Sequence, residues 1–267
     1  MVSAVPLALA AASNDNYDPQ VVIDHSDSGV RMGIILLLMA VAGVGGYMQY
    51  VGAIKTGVRD KIYCIPLVTN LWNFAHDTTF VASYSSWFDD QDELWILKLF
   101  WFGLIVFSLM ELVVISHIIR YSREDLWGAG CSIPRAIAMY GVLQVFVYGI
   151  FWWFQSITED PLEYYGLTTT VIMASAFNIS MMRSRGSRRG MSEFILWGYL
   201  TLSAGFWPWM MVSDPDHFCR PVYWVLAIGN IAIDIQSIRY FRTLPEYRPP
   251  VSSIPSAYER TGSPQSG

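Results

Sequence analysis

Three carboxylates lie in stretches too apolar to belong in water: Asp77, Glu111 and Asp234. A charge at the centre of a bilayer costs on the order of 2.5–3.5 kcal/mol even on the mildest scale, so each needs a reason to be there. Asn70, Asn73 and Asp77 follow i, i+3, i+7 spacing, which sets them on one helical face with His76 beside them. Asn230, Asp234 and Ser237 repeat the device. No Lys or Arg lies at matching depth, so desolvation should leave at least one acid neutral near pH 7. A neutral carboxylic acid in a dry pocket donates a proton, and an ionised one beside it accepts one. That pairing is what acid-catalysed opening of an epoxide requires. Polar side chains also tie membrane helices together, which is the simpler account of a lone Asn or Ser. His76 either relays a proton or packs; His117 is expected at an interface.

The elements that must hold these groups are seven apolar runs: 33–54, 62–84, 94–119, 134–156, 167–182, 191–212 and 219–240. The connections after the odd-numbered runs, with the C-terminal tail, hold 14 of the 17 Lys and Arg: Lys55, Arg59, Lys61, Arg120, Arg123, Arg135, Arg183, Arg185, Arg188, Arg189, Arg239, Arg242, Arg248 and Arg260. The positive-inside rule then predicts an all-α, seven-transmembrane helix bundle with the N-terminus outside or lumenal and the C-terminus cytosolic. Its parts are a flexible arm over residues 1–30, a membrane domain over 31–242, and a disordered Pro/Ser-rich tail over 243–267. Residues 1–12 faintly resemble a signal peptide but lack a basic start. At a rise of ~1.5 Å per residue, Glu111 and Asp234 fall near one level, with Asp77 about two turns above.

Composition narrows the classes. The apolar runs are continuous and too long for β-barrel strands. A net charge of −5 combines an acidic and a basic face, and indicates no nucleic-acid partner. Three cysteines give no disulfide framework, and no Cys/His cluster has metal-ligand spacing, so neither metal nor organic cofactor is implied. The run from Asp89 to Glu93 is expected to be a solvated acidic loop rather than a metal motif. Gly43, Gly45 and Gly46 read as a close helix contact. Trp72, Tyr148 and Trp197 lie within spans, where packing is the ordinary role and facing a cation in a greasy cavity the functional one.

Two stretches carry a family resemblance: Gly57-Val58-Arg59-Asp60-Lys61-Ile62-Tyr63, with Pro66 and Asn70-Leu71-Trp72-Asn73, and Arg185-Gly186-Ser187-Arg188-Arg189-Gly190-Met191-Ser192, followed by Trp197. Together they resemble the small integral-membrane terpene cyclases of fungal meroterpenoid pathways. Related polyketide-pathway proteins, of the aurovertin and citreoviridin type, look similar and open epoxides with water or an internal hydroxyl. The resemblance implies an enzyme of endoplasmic reticulum membranes that opens an epoxide on a hydrophobic polyketide or terpenoid. It places the seventh-helix acid at Asp234. Asn73 stands where the family carries the glutamate taken as the proton donor, and Asp77, one turn further along the same face, is expected to replace it. Glu111 or Asp234 is then the base. Asn70, Trp72, Asn73, His76, Tyr148 and Asn230 are expected to bind or orient the substrate. The rival readings are a proton-coupled seven-helix transporter and a non-catalytic pathway scaffold.

Overall fold

A computed structural model describes residues 19–27, 29–84, 95–160, 162–248, and every regular element among them is a helix. In chain order these are α1 (Pro19–Asp27), α2 (Gly29–Asp60), α3 (Leu67–Ala82), α4 (Trp95–Tyr121), α5 (Arg123–Trp127), α6 (Ile133–Thr158), α7 (Tyr164–Ala176), α8 (Asn178–Arg185), α9 (Glu193–Ser213), α10 (Pro215–Phe218) and α11 (Pro221–Thr243). The acidic run from Asp89 to Glu93, the signal-like residues 1–12 and most of the tail lie outside the described residues.

Among the described residues, four segments are long and apolar enough to cross a membrane: Gly29–Asp60, Lys98–Tyr121, Ile133–Thr158 and Pro221–Thr243. The remaining three apolar runs are helical but shorter or more polar. The run at 62–84 starts later than its hydropathy suggests, because residues 61–66 are not helical. Lys61 turns the chain at φ 51°, and Pro66, which has no N–H and disfavours helix just before it, becomes the N-cap of α3. The run at 167–182 is two helices, broken where Phe177 leaves helical geometry. Helix starts follow their caps: Ser132 accepts from Arg135 N at α6, and Ser192 from Ile195 N at α9.

Part of the expected N-terminal arm is ordered. α1 buries Val22 against the bundle, and His25 Nδ1 lies 2.9 Å from the Ser213 carbonyl. The start of the tail is also held: Pro245 O accepts from Arg188 N.

Helix α9 packs along α2 more extensively than any other pair of described elements. Glycines permit it. A Cβ on Gly198 would sit 2.8 Å from Gln49 N and 2.9 Å from Gly45 O, and one on Gly45 would run into the Leu202 backbone. Two apolar cores result. One, around Ile35, Phe80, Leu104, Val171, Phe206 and Trp209, fills the half away from the basic loops. The other, around Ile65, Leu71, Val114, Ile118, Ile195 and Tyr199, fills the basic half. Between them runs a belt of buried polar side chains: Gln49, Asn73, His76, Asp77, Glu111, Ser203, Asn230 and Asp234.

Candidate active site

Helix α3 carries the polar stripe into that belt and hands each member to a different neighbour. Asn70 Oδ1 accepts from Tyr140 OH on α6 at 2.9 Å, and Gln144 Nε2, one turn along α6, donates to Leu71 O at 3.0 Å. Asn73 Nδ2 donates to Tyr50 OH on α2 at 3.3 Å, and Tyr50 donates onward to Glu111 Oε1 on α4 at 2.6 Å. His76 Nδ1 lies 2.7 Å from Asp77 Oδ1. Asn73, Tyr50 and Glu111 thus form one hydrogen-bonded group shared by three helices, with Asp77 one turn further along α3.

The contacts revise the depth estimate. Because Tyr50 touches both Asn73 and Glu111, these two share a level, and Asp77 lies about one helical turn further on, not two. The late start of α3 at Leu67 is the reason.

Beside this group is a cavity of about 450 Å³, within the range of pockets that take a drug-sized ligand. Its wall is apolar: Leu36, Met39, Leu104, Phe107, Phe206 and Trp209 contribute, among others. Its polar lining is Tyr47, Gln49, Tyr50, Asn73, Asp77 and Thr170. Gln49 Nε2 and Asn73 Oδ1 have no hydrogen-bond partner within the protein, whereas Thr170 spends its hydroxyl on Gly166 O. The cavity also reaches Ala40 on α2 and Leu99, Phe102 and Val106 on α4, all exposed on the bundle's outer surface. It therefore opens sideways, between α2 and α4.

Of the three acids expected to share a site, Asp77 lines the cavity and Glu111 lies one hydrogen bond behind it. Asp234 is elsewhere. It accepts from Ser203 Oγ at 2.6 Å, while Asn230 Oδ1 accepts from Trp207 Nε1 at 3.3 Å. Both bonds join α11 to α9, and neither residue lines the cavity. Trp72 packs edge-on against Phe151 and Phe154 of α6. Tyr148 is 2.5 Å from Thr78 Oγ1, and Trp197 is exposed on α9, so these three aromatics also stand away from the cavity. Tyr50 and Gln49 escaped the sequence reading because one Gln-Tyr pair in an apolar helix looks unexceptional. Their position beside Gly46, on the side that faces α4, was the available signal.

The motif loops sit at the basic end and hold one another. Asp60 takes Arg59 Nε at 2.6 Å and Gly190 N at 2.8 Å. Arg185 donates to Tyr63 O at 2.8 Å while stacking 4.5 Å over the Tyr63 ring. Gly186 and Gly190 take positive φ, +60° and +72°, which glycine adopts freely. Cys64 is buried beneath this clasp. These residues position the helices; none lines the cavity.

A sequence model of the Pyr4-like transmembrane terpene cyclases matches residues 30–207. The chain belongs to that family. The match runs from the start of α2 through most of α9 and so covers Asp77, Asn73, Tyr50, Glu111 and both motif loops; it ends before α11 and Asp234. Membership supports a membrane terpene cyclase that works on a hydrophobic substrate in a lipid environment. No curated protein and no solved structure gave a significant match.

Proposed function

We propose that the protein is a membrane-embedded cyclase that opens an epoxide on a terpenoid or related polyene chain by proton transfer from Asp77. The observation that carries this reading is Asp77 and Asn73 side by side in the wall of a largely apolar cavity that opens sideways between α2 and α4. A greasy substrate enters between α2 and α4 without crossing water, and only its oxygen finds polar partners. Asn73 orients that oxygen, and Asp77 protonates it as the C–O bond breaks. An alkene or hydroxyl of the same substrate attacks the developing cation, favoured by a wall rich in aromatic faces. The final proton leaves to Tyr50, which passes its own to Glu111. Positioned acid–base work of this kind contributes typically 10²–10⁴-fold, and holding the chain in a folded, reactive shape contributes the larger share.

In this reading the bundle has seven spans, with the N-terminus lumenal and the basic loops in the cytosol, and it resides in the endoplasmic reticulum membrane of a secondary-metabolite pathway. The charge distribution among the connections supports the orientation. Asp234 and Asn230 are assigned to joining α9 and α11 rather than to the chemistry. The test is turnover of a farnesyl-type phenol bearing a terminal epoxide in ¹⁸O-labelled water, by wild type and Asp77→Asn. An unlabelled isomer, lost in Asp77→Asn protein that still inserts, supports the cyclase. Label in the product instead means hydrolysis. A variant as active as wild type removes Asp77 from the mechanism.

A further inference from the structure

The cavity acid has a second neighbour behind it. His76 is fully buried, its Nδ1 on Asp77 Oδ1 and its Nε2 aimed the other way, 4.0 Å from Glu163 Oε2. Neither Nε2 nor Oε2 has any hydrogen-bond partner. Two buried, unsatisfied atoms of complementary type therefore face each other, separated by one small side-chain movement.

Glu163 lies in the connection between α6 and α7, at the end of the bundle opposite the basic loops. It is the N-cap residue of α7 yet does not cap it. Asp160 does that instead, accepting from the amides of Tyr164, Tyr165 and Gly166 at 2.8, 2.8 and 2.9 Å. Glu163 holds φ 53°, a left-handed conformation that non-glycine residues rarely adopt. Its carboxyl lies toward His76, and the first amides of α7 are left to Asp160. Gly166 completes the fit, since a Cβ there would stand 3.3 Å from the His76 ring.

We propose that Asp77, His76 and Glu163 form a proton relay that reloads the cavity acid from the far end of the bundle, which makes His76 and Glu163 positioning residues for the epoxide-opening reaction. The proposal rests on Asp77 being the acid. After Asp77 has given its proton to the epoxide oxygen, Glu163 protonates His76 Nε2 and the imidazolium so formed gives its Nδ1 proton to the Asp77 carboxylate. Glu163 is reprotonated from water, and the ring regains its Nδ1–H tautomer by exchange with water before the next turnover. The proton released by the substrate cation leaves from Glu111 with the product, so one proton enters for each one given up. Imidazole suits the task because each ring nitrogen exchanges with a different acid. The charged groups that bear on His76 are Asp77, Glu163 and Asp160; those on Glu163 are His76, Asp160 and Asp77, with Gln155 hydrogen-bonded to the same carboxyl. Burial pushes Glu163 up to about 7. It is thus a loaded donor below that pH, and reloading slows as pH rises through it.

The experiment uses the full chain in liposomes with the terminal-epoxide farnesyl phenol as probe. It compares wild type, Glu163→Gln, Glu163→Asp and Asp77→Asn, alongside ¹⁵N spectra of histidine-labelled protein in which His76→Gln assigns the His76 signals. Glu163→Gln should lose about tenfold or more in steady-state turnover and keep a normal single turnover when preloaded at low pH. Added formate or Glu163→Asp should restore turnover, which a packing defect would not allow. The alkaline fall in rate should vanish from the Glu163→Gln profile, and the His76 ring signals should shift. Unchanged turnover and an unmoved His76 signal in Glu163→Gln overturn the relay, and Asp77→Asn then decides the cyclase reading separately. Should the probe not turn over in wild type, an unmoved His76 signal alone is enough to overturn the relay.

Discussion

Tyr50 donates a 2.6 Å hydrogen bond from α2 to Glu111 on α4, and this bond holds a fully buried acid behind the cavity wall. Its oxygen also receives Asn73 Nδ2 from α3, so one phenol links three helices. Hydrogen bonds between membrane helices average only ~0.6 kcal/mol. Replacing Tyr50 with Phe should therefore lower the unfolding midpoint in mild detergent only slightly. Its larger effect should be chemical. With no hydroxyl to pass the substrate's proton to Glu111, turnover should fall about a hundredfold. A variant that loses stability and retains turnover would make Tyr50 a structural strut only.

Gly198 tests the packing that positions this group. Its absent Cβ lies 2.8 Å from Gln49 N, and a backbone atom cannot yield as a side-chain end can. Gly198→Ala should push α9 from α2, cost about 1–3 kcal/mol and disturb Gln49 in the cavity wall. Gly149→Ala, on α6 with nothing within 4 Å, should be neutral. Thermal unfolding of the two purified variants side by side checks the contrast.

The helices were legible in the sequence because each must hide its backbone polar groups in lipid, which makes long apolar runs unavoidable. What eluded the sequence was local geometry. Pro66 moved the start of α3 and with it the depth of Asp77, while Phe177 split one run into α7 and α8. The acids were legible for the same reason as the helices: a carboxylate in an apolar run stands out. Which of them meet was not, since Asp234 and Glu111 lie on helices that face different partners. Glu163 was invisible as a functional candidate, because an acidic residue in a connecting loop is ordinarily solvated.

The motif loops make a prediction of the opposite kind. Arg185 stacks on Tyr63 while bonding Tyr63 O, a geometry that needs a planar fork. Arg185→Lys should open the clasp between the 57–66 and 185–192 loops, seen as faster proteolysis within 183–190. Turnover per folded molecule should stay within about twofold, because no clasp residue lines the cavity. A large loss of turnover in folded protein would mean the clasp reaches the chemistry.

The sideways opening is testable at Val106, which is 44% exposed on α4 and also lines the cavity. Val106→Trp should obstruct the gap between α2 and α4. Substrate supplied in liposomes should then show a KM raised severalfold with kcat little changed, the signature of impaired entry rather than impaired chemistry. An unchanged KM would send the substrate in by another route.

The departure at Asn73 gives the most discriminating substitution. The family resemblance places a glutamate acid at this position, whereas here an amide stands there and Asp77 follows one turn later on the same cavity wall. If Asp77 has taken over the proton, Asp77→Asn alone should abolish turnover. Adding Asn73→Glu to Asp77→Asn should then return a measurable part of it, since a longer acid one turn nearer the basic end still reaches the cavity. The restored activity should no longer depend on Glu163, because His76 touches Asp77 and not residue 73. Asn73→Glu in the otherwise native chain crowds a further carboxyl beside Glu111 and Asp77, and like charges at that spacing raise the cost of ionising any of them. That single variant should be slower than wild type. Product yields from the three variants, normalised to inserted protein, decide the matter. Recovery in the double variant assigns the acid to the α3 face. Continued inactivity, with the Asp77→Asn single also inactive, means the acid's exact position along α3 is part of the mechanism.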